Sequence, residues 1–172
     1  MQTPYRNLTI RPWCPADRQA AMTVIASVLQ EYGLPWQPGS ADQDVVNVEN
    51  HYLQQGGEFW VVESPNAVTQ SPDIVGTAAY YPIEREPQAV EIRKMYLLPT
   101  VRGLGLGAFL LTQLETAIAT AGYRVIWIET ASCLKEAVGL YESRGYEPAT
   151  GIETARCDRV YRKALSPGTL KI

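Results

Sequence analysis

Histidine is nearly missing from this chain: His51 is the single one in 172 residues. That excludes a multi-histidine metal site and leaves a Ser–His–Asp triad one unsupported candidate. His51 reads instead as a surface or pocket-lining residue, and no metal ligand is expected. Cysteine is sparse as well. Cys14, Cys133 and Cys157 are odd in number and lack ligand spacing, which points to a reducing compartment, the cytoplasm. No apolar run approaches the roughly 18 residues of a membrane span, and residues 1–11 lack an apolar leader core. Basic charge is not in excess: 15 Lys and Arg face 18 Asp and Glu, for a net charge of −3. Nucleic acid as the main partner would favour a basic face. No internal repeat or low-complexity segment interrupts the chain. What remains is 46% hydrophobic and 19% charged, the profile of one globular domain. The expected domain runs over 1–165, with 166–172 as a loose tail.

The most informative stretch present is PTVRGLGLGAFLLTQLETAIATAG, residues 99–122. Gly103, Gly105 and Gly107 alternate with Leu104 and Leu106, so main-chain N–H groups there are open to close approach. Leu110, Leu111, Leu114, Ile118 and Ala121 then recur at helical steps, and Gly122 stops the pattern. A glycine loop therefore empties into a helix N-terminus, where free N–H donors and the helix dipole favour a phosphate. Arg102 adds positive charge, and no acidic residue intervenes before Glu115. A P-loop would place Lys and then Ser or Thr after the last glycine, where Ala108 and Phe109 stand. A dinucleotide fingerprint fits Gly103, Gly105 and Ala108. However, it needs a strand running directly into the glycines and an acidic residue about twenty positions on.

The frame Arg102-x-x-Gly105-x-Gly107 resembles the [QR]-x-x-G-x-[GA] signature of the GNAT superfamily of N-acetyltransferases. The resemblance extends over residues 8–165 and implies an acyl-CoA ligand, acetyl-CoA first. A second motif agrees. Ala137, Leu140, Tyr141, Gly145 and Tyr146 fit the superfamily pattern A-x-x-L-Y-x-x-x-G-[FY]. Trp127 and Glu129, at their distance from Tyr141, resemble the ribosomal-protein alanine acetyltransferases. The implied cofactor contacts are the main chain of Met95, Tyr96 and Leu97, and the cradle from Arg102 through Gly103, Leu104, Gly105, Leu106 and Gly107 to Ala108. The Leu97 N–H is the implied donor to the thioester oxygen. One departure is Leu134, where many members carry an asparagine seven residues before the tyrosine.

The same resemblance makes Tyr141 the general acid, and a phenol near the sulfur suits proton donation to a departing thiolate. An ammonium acceptor must also lose a proton. Glu91 occupies the strand position of the base in histone-type members, and Glu129 the W-x-E position. Both remain candidates, with Glu91 placed first; either can instead be a strand-face carboxylate paired with Arg93 or Lys94. Cys133, at a helix start, offers a covalent route that direct transfer does not need. The expected activity is N-acylation of a small-molecule or peptide amine, with a homodimer possible. A non-catalytic acyl-CoA sensor and a nicotinamide-dependent oxidoreductase are the alternatives.

Periodicity predicts strands over 8–11, 59–63, 74–81, 90–98 and 125–130, with two more within 146–165. Helices are expected from Asp17 to Gly33, from Asp42 through Gln54, from the glycine loop to Gly122, and over 134–143. Loops at 34–41 and 82–88, with the second helix, are expected to shape the acceptor pocket through Trp36, His51, Tyr52 and Tyr81. The fold class is α/β (α+β). It is a mixed, mostly antiparallel sheet of about seven strands with flanking helices, whose parallel pair splays by resemblance.

Overall fold

A computed structural model describes residues 2–165; the expected tail at 166–172 lies outside the described residues. The chain starts with a hairpin, β1 (Thr3–Tyr5) and β2 (Leu8–Pro12), turned through Arg6 at φ 55°. The three-residue β1 was not expected, because it is too short to carry alternation. Helix α1 (Arg18–Glu31) follows and buries Ala21, Val24, Ile25, Val28 and Leu29, the face its spacing predicts. Asp17 does not cap it. Its carboxylate instead takes the Cys14 amide at 2.8 Å and clamps Arg11 at 2.7 and 2.8 Å.

The expected second helix is broken. It forms α2 (Gln43–Val46), α3 (Val48–His51) and a 3-10 turn, Leu53–Gln55. Asn47 at φ −136° and ψ 55° makes the break, amid valines whose β-branches lower helix propensity. Asp42, the expected cap, is drawn inward to Lys94 and Arg156. His51 is exposed, whereas Tyr52 is wholly buried.

The remaining elements are β3 (Glu58–Ser64), β4 (Asp73–Ile83), β5 (Ala89–Leu97), α4 (Leu106–Thr120), β6 (Val125–Thr130), α5 (Lys135–Ser143), β7 (Glu147–Ala149) and β8 (Arg159–Ala164). Strand β4 runs through Pro82 to Ile83, so the loop expected over 82–88 is shorter. The sheet has eight strands in the order β1-β2-β3-β4-β5-β6-β8-β7. Among the described residues only β5 and β6 are parallel, joined by the α4 crossover. One face packs Val90, Ile92, Ile126 and Ile128 with Leu110, Leu111, Leu114 and Ile118 of α4. The other packs Phe59, Val61 and Ala79 with α1 and Tyr52. Among the described residues no helix is long and apolar enough to cross a membrane.

Two irregularities open the sheet at its centre. Strands β5 and β6 pair only from Ala89↔Val125 to Ile92↔Ile128, yet continue to Leu97 and Thr130. On the opposite edge of β5 the register jumps: Thr77 faces Tyr96, while Ala79 faces Arg93. Lys94 stands in this bulge with φ 53°. A lysine held in the left-handed region needs compensation. It finds it in Asp42 at 2.6 Å, the Ala41 carbonyl at 3.1 Å and Asp44 at 3.1 Å. The bulge bends β5 away from β6 and leaves a cleft.

Candidate active site

The cleft is a cavity of about 330 Å³, lined by β5 from Ile92 to Leu97, the α4 cradle, the end of β6, α5, and the Arg156–Cys157 segment. The cradle forms from backbone conformation. Gly103 at φ 74° and Gly105 at φ 80° occupy the left-handed region, and Gly105 is the N-cap of α4. A Cβ on Gly105 would also lie 3.0 Å from the Tyr5 hydroxyl. No side chain caps α4, and its first turn has no acidic residue. That uncapped set of N–H donors beside a cavity fits a phosphate-bearing cofactor. Leu106 is buried beneath it, and a Cβ on Gly107 would make ordinary contacts with Leu140 and Leu97.

Not every cradle residue faces inward. Leu104 is 38% exposed, outside the lining, and its carbonyl accepts the Tyr5 hydroxyl at 2.6 Å. Arg102 lines the cavity with its guanidinium already engaged. Its Nε donates to the Leu97 carbonyl at 2.8 Å, and its terminal nitrogens hold Glu31 at 2.7 and 2.8 Å. That guanidinium keeps the Glu31 carboxyl below the usual carboxylate range. Met95, Tyr96 and Leu97 form the β5 wall. Leu134, the N-cap of α5, joins the opposite wall with an apolar side chain.

Tyr141 projects from α5 into the cavity, 4% exposed, with its ring 5.8 Å from that of Tyr146 and 6.1 Å from that of Tyr161. Burial raises its pKa, helped by Tyr96 and Cys157, so the hydroxyl is protonated at neutral pH. Tyr96 is pushed up to about 12, mainly by burial.

Glu91 and Glu129 share one sheet face but not one environment. Glu91, opposite Trp127 in the ladder, is 5% exposed and sits just outside the lining. Tyr81 donates to it at 3.1 Å, and Arg93 Nε lies 3.7 Å away. Burial raises its pKa, Arg93 opposes, and Glu129 adds to the rise; the net direction is upward. Glu129 reaches the cavity but is saturated. Arg85 binds it at 2.5 Å, and the amides of Glu153 and Thr154 donate at 2.9 and 2.8 Å. Burial pushes its pKa up, but those donors prevail and hold the carboxyl below its ordinary value. Trp127 lies under the same Arg85, 5.0 Å from ring centroid to guanidinium carbon.

Among the lining residues that had no place in the sequence-derived site are three with titratable side chains, Arg93, Arg156 and Cys157. Arg93 is two residues from Glu91 on the same strand face, a signal strand alternation supplies. Arg156 and Cys157 arrive on an irregular segment that no periodicity marks. Burial lifts the Cys157 thiol to about 11, so it is not a thiolate near neutral pH. Cys133 is exposed and outside the lining.

A partly unpaired parallel strand pair, an uncapped glycine cradle and Tyr141 thus line one cavity. Residues 25–146 match the Acetyltransferase (GNAT) family, and the chain belongs to that family. It is therefore an acetyltransferase, with acetyl-CoA as its cofactor. A relative described as "Uncharacterized N-acetyltransferase YjgM" from Escherichia coli K12 is 34% identical over 145 residues, covering 83% of this chain and 80% of that one. The solved structure of a GNAT-family acetyltransferase from Staphylococcus aureus Mu50 superposes with a TM-score of 0.81 at 20% identity, covering 92% of this chain and 99% of that one. That of YncA from Salmonella typhimurium, with its cofactor acetyl-CoA, gives 0.71 at 19% identity over 94% of this chain and 96% of that one. These two structures share the fold.

Proposed function

We propose that this chain acetylates a primary amine by direct attack inside the cavity, with Tyr141 and Glu91 moving the protons. The observation that supports the reading is Tyr141 lining the cavity, with burial beside Tyr96 and Cys157 favouring its protonated phenol. The main-chain donors from Gly103 to Ala108 hold the cofactor's phosphates in this reading, and the Met95–Leu97 backbone holds its pantetheine arm. Bound acetyl-CoA supplies the activated acyl group. Tyr141 Oη carries the proton that the departing sulfur takes up. Glu91 draws the proton from the ammonium through one water, since it sits just behind the lining. Its raised pKa brings it toward the range in which a base works near neutrality. Glu129 is assigned a positioning role: it fixes Arg85 and the 153–154 main chain.

The three cysteines are free thiols, which supports a reducing cytoplasm as the setting. The test is release of free CoA from acetyl-CoA by the purified chain with a panel of amines, amino acids and peptides. Release with at least one acceptor is expected. Binding of acetyl-CoA without release for any acceptor would favour the sensor reading.

A further inference from the structure

The Arg93 guanidinium is the least committed cation around the cavity. Lys94 closes on Asp42 at 2.6 Å and Asp44 at 3.1 Å. Arg156 grips both oxygens of Asp42 at 2.6 Å, and Arg85 holds Glu129 at 2.5 Å and Glu153 at 3.1 Å. Arg93 has no such contact among the described residues. Its carboxylate neighbours, Asp44 and Glu91, are both 3.7 Å away, beyond hydrogen-bond length. Both are already engaged by others. Asp44 accepts the Tyr52 hydroxyl at 2.5 Å and the Val45 amide at 3.0 Å, and Glu91 accepts the Tyr81 hydroxyl at 3.1 Å. Meanwhile the Arg93 side chain is packed to 20% exposure, lies 5.8 Å from the Tyr81 ring centroid, and lines the cavity.

A packed guanidinium offers five donors in a fixed fork that matches a planar carboxylate. Resting on the acetyltransferase reading above, we propose that Arg93 receives the carboxylate of the acceptor, which is a free α-amino acid. An α-amino acid carries its ammonium two bonds from its carboxylate. Arg93 Nε and Glu91 Oε1 stand 3.7 Å apart on one strand face, so a carboxylate held at Arg93 leaves the ammonium on the side of Glu91, with the relaying water between them. A polyamine meets no such match, because Asp42, Asp44 and Glu129 all hold cations of the protein. Carboxylate binding at Arg93 also offsets the charge that lowers the Glu91 pKa, making Glu91 a stronger base when an acceptor is present.

The experiment titrates the twenty standard L-amino acids and their primary amides into the CoA-loaded chain by calorimetry, beside CoA release with the same pairs. At least one acid should bind, and its amide about 10- to 100-fold more weakly, the range for a charge-assisted contact. In turnover the difference should fall mainly on KM, with a smaller loss of kcat for the amide, which leaves Glu91 the weaker base. Arg93→Gln should bring the acid-to-amide ratio near one, and Arg93→Lys should recover part of it. If Arg93→Gln does not fold, the comparison on the unaltered chain decides alone. Equal binding of acid and amide, or no binding by any amino acid, overturns the proposal. Peptides acetylated in preference to free amino acids would overturn it as well. A separate acetyl-CoA titration without heat would instead remove the acetyltransferase reading.

Discussion

Arg102 and Glu31, 71 positions apart, form a two-pronged ion pair at 2.7 and 2.8 Å across the mouth of the cradle. The guanidinium also lies 5.6 Å from the Tyr32 ring centroid and ties down the Leu97 carbonyl. A phosphate arriving at the cradle competes with Glu31 for this cation. Glu31→Gln should therefore tighten acetyl-CoA binding by up to about fivefold, the scale of an exposed ion pair. The gain should shrink as salt is raised. Calorimetric affinity checks this; unchanged or weaker binding would show that Arg102 does not meet the cofactor's charge.

The two cradle glycines should respond differently. Gly105 holds φ 80°, and a Cβ there meets the Tyr5 hydroxyl at 3.0 Å, whereas one on Gly107 meets Leu140 at an ordinary 3.6 Å. Gly105→Val forces a β-branched residue into the left-handed region, at about 1–3 kcal/mol. It should lower Tm and abolish acetyl-CoA binding. Gly107→Ala should keep the Tm of the unaltered chain, so any lost affinity reports on cofactor approach alone. Full affinity in Gly105→Val would remove the phosphate assignment.

The sequence made some of this plain and hid the rest for physical reasons. Leu110, Leu111, Leu114 and Ile118 announce α4 because burial recurs with the helical repeat, and all four are buried. Tyr141 and the glycines lie in contiguous motifs, so they were visible too. Glu91 and Glu129 could not be ranked from strand alternation, which puts both on one face. What separates them is Arg85 and the 153–154 amides, brought in by a loop. The Arg102–Glu31 pair and the Arg156–Asp42 pair join residues far apart in the chain, and neither leaves a local pattern. The helix break at Asn47 comes with Asp42 bonded to Lys94 and Tyr52 bonded to Asp44, contacts that helical periodicity does not mark.

The two glutamates should affect stability in opposite directions. Burial raises the Glu91 pKa, so the folded state binds its proton more tightly than the unfolded chain does. Its contribution is present at low pH and is lost as pH rises through the folded value, so at neutral pH the charge is a liability. Glu91→Gln should therefore raise Tm at pH 7 while cutting turnover by about 10²–10⁴-fold, the general-base range. Glu129 is depressed instead, by the Glu153 and Thr154 amides and Arg85 acting against burial. Its stabilisation is present above the ordinary carboxyl range and fades as pH falls through the folded value. Glu129→Gln should lower Tm at pH 7, with the deficit vanishing in acid. Thermal melts across pH, paired with CoA release, separate the roles. Lost turnover in Glu129→Gln with none in Glu91→Gln would reverse them.

Tyr141→Phe isolates a single proton. The ring packs beside Tyr146 and Tyr161, and phenylalanine keeps that packing while removing only the hydroxyl. Tm should hold, since the groups acting on that hydroxyl are burial and the neighbouring Tyr96 and Cys157. A group that acts only in the transition state changes kcat without changing ground-state affinity. The expected result is a kcat lowered by about 10²-fold or more, with near-normal acetyl-CoA affinity. The deficit should narrow with a thioester whose thiol is a stronger acid, because its sulfur departs with less protonation. Full activity in Tyr141→Phe would remove the hydroxyl from the reaction and leave Tyr141 a packing residue. A deficit of the same size for every thioester would mean that the hydroxyl orients the reactants rather than protonating the sulfur.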